Sequence, residues 1–217
     1  MVDTTTQIGA VTRTLREVTV DGSAGRAQVL VQTYPSPIDD VWDALTSPER
    51  IARWFLPISG NLRLGGRYQL EGNAGGEVLE CEPPTGDGAR YLVTWEMMGA
   101  VSWLEVVLRA DRGRTQVRME HIGRTADVPD EMWETYGPGA TGAGWDGGLL
   151  GLALHLGVLE GSLSPQEALA WAATDEGRGF YRAVADAWAD AHVASGADPA
   201  SAAAAADATY GAYTGTA

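Results

Sequence analysis

The residues best equipped for chemistry are few, and His121 leads them. In the segment TQVRMEHIG, alternation puts Val117, Met119 and His121 on one face and Arg118 and Glu120 on the other. An imidazole on an apolar face can hydrogen-bond a ligand or act as a general base near neutral pH. Its plainer role there is a bond to a backbone carbonyl at the sheet end. His155 and His192 occur singly, with no HExxH and no Cys/His cluster, so no metal site is expected. Six carboxylates (Glu71, Glu77, Glu80, Glu96, Glu105 and Glu120) lie in strand-like segments and are expected on exposed faces. If buried, Glu77 and Glu96 are the two that could serve as acid or base. Cys81 reads as a small buried hydrophobe. The run GNLRLGG fits neither GxGxxG nor a P-loop, and no Ser sits in a GxSxG elbow. No catalytic set emerges, and no cofactor is expected.

The elements that must position these groups follow from periodicity. Residues 1–10 are polar and read as loose. Leu15, Val18 and Val20, the turn former Asp21-Gly22 and then AQVLVQTY give two strands around a turn. Pro35 and Pro37 end the sheet. Ile38, Val41, Trp42 and Leu45 fall at helical spacing behind Asp39 and Asp40, and Ser47-Pro48 opens a second short helix bearing Ile51, Trp54 and Phe55. Five strands follow, at 66–72, 76–82, 90–97, 102–110 and 115–123. Their turn-rich connections, Pro83 and Pro84 among them, imply antiparallel neighbours. Tyr68 and Leu70 share the apolar face of the first, and Trp95 alternates with Tyr91 and Val93 in the third. A short helical piece around Glu131 to Thr135 precedes GWDGGLLGLALHLG, which places Trp145, Leu149, Leu152 and Leu156 on one stripe to lie on the sheet. Gly147, Gly148 and Gly151 inside that helix cost stability and should allow close helix–sheet approach or space for a ligand. His155 flanks the stripe as a second candidate for the cavity edge.

Beyond Gly157 the chain becomes rich in alanine. Ser164-Pro165-Gln166-Glu167 is a capping box, a long helix from about Asp175 to Ala194 carries Phe180, Val184 and Trp188 on one face, and Asp198-Pro199 caps a third helix. The chain divides into a main body at 11–157 and a helical extension at 158–217, which should dock on the body or across a homodimer.

Bulk composition narrows the partners. The net charge is −14, and all 15 basic residues are arginine. Such a chain is repelled by nucleic acid and by anionic membranes, so neither is an expected partner. One cysteine permits no internal disulfide. The first thirty residues show no secretory pattern and no apolar run approaches a bilayer span, so a cytoplasmic location is expected.

The order strand, two short helices, a run of antiparallel strands and a C-terminal helix resembles the START/Bet v 1 (SRPBCC) superfamily. The segment YPSPIDDVWDALTSPERIARWF, with its Val-Trp pair, Ser-Pro-Glu helix start and Trp-Phe pair, resembles the branch of heat-shock-protein ATPase activator homologues. GGRYQLEG, PPTGDGARYLVTWE, GRTQVRMEHIG and GWDGGLLGLALHL are similar to the same branch, so the likeness spans roughly Leu15 to Leu156. It implies an α+β helix-grip fold, a curved antiparallel sheet around a C-terminal helix with a deep cavity between them. Trp54 then sits at the cavity mouth, and the candidate lining is Trp54, Tyr68, Trp95, Met119, His121, Trp145, Leu149 and Leu152. Binding of a small, largely apolar molecule is the leading expectation. A cyclase, dehydratase or hydrolase using the same cavity, or a co-chaperone-like interaction module, are the alternatives. Fold alone decides none of these.

Overall fold

The computed structural model describes residues 2–216. The architecture is α+β, with one open eight-stranded sheet and eight α-helices among the described residues. A short helix α1 (Thr4–Ala10) leads into β1 (Thr12–Val20) and β2 (Ser23–Tyr34). Helices α2 (Ile38–Thr46) and α3 (Pro48–Trp54) follow, then the strands β3 (Ile58–Gly60), β4 (Arg67–Leu70), β5 (Gly75–Thr85), β6 (Gly88–Met97), β7 (Ala100–Asp111) and β8 (Arg114–Arg124). After α4 (Asp130–Tyr136) come α5 (Gly139–His155), α6 (Pro165–Ala172), α7 (Asp175–Ala194) and α8 (Pro199–Thr214). The strands lie in the order β1-β2-β8-β7-β6-β5-β4-β3, every neighbouring pair antiparallel. β1 and β3 are free edges, so the sheet does not close. The arrangement is consistent with a helix-grip layout.

Three hairpins fix the register. Asp21-Gly22, Met98-Gly99 and Arg112-Gly113 each form a two-residue loop with positive φ at both positions. That geometry matches the twist of the flanking strands, and glycine takes the second site at little cost. The β5–β6 connection differs from the expected one. Pro83 and Pro84 lie inside β5, where the pairing shifts register between Glu82 and Thr85. A bulge has no ladder bond to lose, so it accommodates proline there.

The amino terminus also departs from expectation. Residues 4–10 are helical, because Asp3 accepts from the Thr6 amide at 3.0 Å and Gln7 is buried, exchanging two 3.0 Å amide bonds with Gln32. The Val2 amide donates to Glu176 of α7 at 2.6 Å. Further along, Asp39 and Asp40 sit in the first turn of α2 and Pro48 at the start of α3. Ser47 does not cap that helix with its side chain, which bonds Glu49 instead. The Ser164–Glu167 box, Thr174 and Asp198 open α6, α7 and α8 as their residue types direct.

The core lies between the sheet and α5 and continues under α7. Leu30, Tyr34, Leu108 and Val117 of the sheet, Leu149 and Leu152 of α5, and Phe180, Val184 and Trp188 of α7 belong to one buried cluster. A smaller cluster of Tyr68, Leu70, Val78 and Val93 lies toward the β4 edge. The glycines of α5 do allow close approach, but to helices and not to the sheet. A Cβ on Gly151 would lie 2.3 Å from the Trp54 carbonyl oxygen, and one on Gly142 would lie 2.4 Å from the Trp188 ring.

Candidate functional site

Two compartments lie between the sheet, α2–α3 and α5. The inner one, a chamber of about 100 Å³, is bounded by Trp42, Trp54, Phe55, Tyr68, Tyr91, Trp95, Met119, Trp145, Leu149 and Leu152 among others, and its surface is almost wholly carbon. Its two tyrosine hydroxyls are spent on the protein: Tyr68 donates to the Thr94 carbonyl at 2.7 Å and Tyr91 to that of Leu62 at 3.0 Å. Burial pushes both phenols well up, so both stay neutral. The outer one is a groove of about 380 Å³ with a more polar lining that includes His121, Thr141, Tyr181 and Tyr213.

An aromatic partition separates them. Trp54, Phe55, Trp95, Trp145 and Gly148 border both spaces. Phe55 stacks on Trp145 with ring centroids 6.3 Å apart, and the Trp95 and His121 rings meet Trp145 edge-on at 4.8 and 5.3 Å. Such offset and edge contacts suit aromatic quadrupoles and hold the ring planes in place. Trp54 is pinned by its Nε1, which donates to the Ala44 carbonyl at 3.0 Å. The indole nitrogen of Trp145 is buried with no hydrogen-bond partner among the described residues. Native interiors seldom leave such a donor unmatched.

His121 faces the groove from β8. Its Nε2 lies 2.8 Å from the Ser102 hydroxyl, which itself donates to the Trp95 carbonyl at 3.2 Å. A hydroxyl has one proton, so Ser102 accepts from Nε2–H while it donates to that carbonyl. The neutral ring then presents Nδ1 as a bare acceptor. Burial pushes the imidazole down to about 4, so it is uncharged at neutral pH.

Of the eight residues expected to line a cavity, Trp54, Tyr68, Trp95, Met119, Trp145, Leu149 and Leu152 border the chamber. His121 borders the groove, as do Trp54, Trp95 and Trp145. His155 borders neither. It accepts from Arg50 Nε at 3.1 Å, and its pKa is lowered by burial and by Arg50 and Arg53. Glu96 is a half-buried ion-pair partner of Arg67 at 2.6 Å, and the hydrogen bond from that arginine holds its carboxylate below the usual range. Glu120, expected on an exposed face, is buried beneath the stems of Arg16 and Arg118, with which it pairs. Cys81 is only partly buried.

Sequence reasoning missed Asp146. It is fully buried next to Trp145, paired with Arg13 of β1 at 2.6 Å, and accepts from Trp188 Nε1 at 2.9 Å. Burial raises its pKa, while Arg13 and Trp188 oppose the rise. It also missed Trp171, Tyr181 and Tyr213, because only the folded extension brings them to the groove. Trp42 and Phe55 stood in apolar patterns that gave no sign of a cavity. Among the described residues no group of three or more His, Cys, Asp or Glu side chains could hold a metal ion, and no helix is long and apolar enough to cross a membrane.

Comparison with known proteins agrees with this geometry. Residues 35–156 match the family described as activator of Hsp90 ATPase homolog 1-like protein. CalU16 from Micromonospora echinospora is similar in its solution structure, with 30% identity, a TM-score of 0.66, and coverage of 86% of this chain and 97% of that one. Its crystal structure gives 33% identity and a TM-score of 0.58 over 68% of this chain and 86% of the other. MLL2253 from Mesorhizobium loti shares the fold at 22% identity, with a TM-score of 0.52 over 61% of this chain and 98% of that one. No curated protein matches. The fold forms a cavity capable of holding a small hydrophobic ligand.

Proposed function

Because the chain belongs to the activator of Hsp90 ATPase homolog 1-like family, within the SRPBCC superfamily, we propose that it acts as a receptacle for one small, largely apolar molecule. The ligand lies between the open sheet and α5, its apolar body in the chamber and a polar end in the groove. One observation carries the reading: a carbon-lined chamber with all its tyrosine hydroxyls satisfied adjoins, across Trp145 with its unpaired Nε1, a more polar groove that includes His121. Apolar walls with a few convergent polar groups are what a small-molecule site requires.

Native mass spectrometry of protein purified from its own host tests this directly, with a discrete small-molecule adduct as the expected result. Protein that carries no adduct, and that also fails to bind naphthalene by tryptophan fluorescence titration, would defeat the receptacle reading.

A second reading has one specific observation behind it. His121 is neutral with Nδ1 unpartnered, so it can accept a proton from an acidic bound hydroxyl, its lowered pKa making it a weak base. On that reading His121→Ala abolishes turnover of whatever compound co-purifies, while its binding persists. A co-chaperone-like role calls for a filled interior and binding through the outer surface, so the open chamber gives it no support.

A further inference from the structure

Gly144, Gly147, Gly148 and Gly151 of α5 are spaced three, one and three residues apart, which puts them on one helical face, and all four line the outer groove. Opposite them stands the C-terminal extension. A methyl on Gly147 would lie 3.3 Å from the Tyr181 hydroxyl, and one on Gly144 would lie 3.1 Å from that of Tyr213. The two phenol rings stack with centroids 5.1 Å apart. Their hydroxyls differ in one respect. That of Tyr213 donates to the Ala140 carbonyl at 3.0 Å, whereas that of Tyr181 has no hydrogen-bond partner among the described residues. The groove therefore holds three polar atoms without protein partners: Tyr181 Oη, His121 Nδ1 and, in the buried partition, Trp145 Nε1.

We propose that the extension supplies the polar recognition of the ligand, with Tyr181 as its specificity-determining residue and a hydroxylated flat aromatic as the ligand class. A phenolic hydroxyl accepts from the Tyr181 O–H, in the groove that His121 also lines. The apolar ring system passes along the Trp145 partition toward the chamber. The aromatic border of Trp54, Phe55, Trp95 and Trp145 offers flat faces for that ring system, while the glycines of α5 let the two phenols, Phe55 and Trp54 come close to the helix. The inference rests on the receptacle reading, and its test separates the two.

Naphthalene and 2-naphthol are titrated into the full chain and into Tyr181→Phe, with binding read from tryptophan fluorescence. Naphthalene reports the cavity alone, and the ratio of the two affinities reports polar recognition. The wild type should favour 2-naphthol by about five- to tenfold, the worth of one net hydrogen bond. Tyr181→Phe should bring the ratio near one, since the ring and its stacking stay and only the hydroxyl is lost. Gly147→Ala, whose methyl crowds the Tyr181 hydroxyl, should lower the ratio as well. If naphthalene binds and the ratio is the same in wild type and Tyr181→Phe, the assignment to the extension is overturned and the receptacle stands. If neither probe binds the wild type, both fall together.

Discussion

The side chains that decide this molecule's behaviour are buried polar groups with very different degrees of satisfaction. Asp146 is fully matched: Arg13 grips both of its oxygens with three bonds and Trp188 donates a fourth. Truncating Arg13 leaves a carboxylate in the core without its counter-charge, so Arg13→Ala should cost about 3–5 kcal/mol. Replacing both partners by Arg13→Met and Asp146→Leu should cost clearly less, and urea unfolding of the two variants checks the ordering. His121 is the opposite case. Its folded pKa of about 4 lies below its ordinary value of 6.5, so the unfolded chain binds the extra proton first. Stability from the buried neutral ring is therefore full above pH 6.5 and is lost as pH falls toward 4, by about 3 kcal/mol over that window. His155 and His192 are shifted in the same direction and add to the slope. His121→Gln should flatten the dependence of melting temperature on pH between 6.5 and 4.5. An unchanged slope would mean that the imidazole is well hydrated in the native state.

At the level of elements, α5 is the part on which packing places the strongest demands. Alanine at an interior helical glycine ordinarily adds up to about 1 kcal/mol. At Gly151 the added methyl meets the backbone carbonyl of Trp54, and at Gly142 it meets a tryptophan ring that is itself fully buried. Both substitutions should destabilise by about 1–3 kcal/mol in spite of propensity, because neither neighbour can give way. Gly179 of α7 has open space where its Cβ would stand, so Gly179→Ala should stabilise by about 0.5–1 kcal/mol. Thermal unfolding of the three variants separates close packing from propensity by sign alone.

What could be read from the sequence divides along the same line. The alternation of Val117, Met119 and His121 is local and period-two, so it gave both the strand and the lining face. The hairpin at Asp21-Gly22 and the caps of α6 and α8 are equally local. The burial of Glu120 depends on Arg16, which lies 104 residues away, and that of Asp146 on an arginine 133 residues away. No spacing rule reaches so far. Helix α1 is a polar heptapeptide with little intrinsic preference for helix, and its Gln7 is fixed only by Gln32 on the second strand.

Across the whole molecule, the extension and the body share their interior. Trp188 reaches Asp146, Phe180 and Val184 lie in the same cluster as the sheet residues, and Glu176 holds the amino terminus. Phe180, Val184 and Trp188 are each at most 1% exposed, so removing residues 158–217 would strip the cover from a broad apolar face of β1 and α5. It would also remove a donor from a buried carboxylate and one wall from the groove. These losses fall on one helix, α5, which carries Asp146 toward the extension and Trp145 toward the chamber on adjacent residues. A chain ending at Gly157 should therefore lose solubility and unfold at a markedly lower denaturant concentration, with aggregation followed by light scattering. If the shortened chain matched the parent in both respects, α7 would have to be a tether and not part of the core.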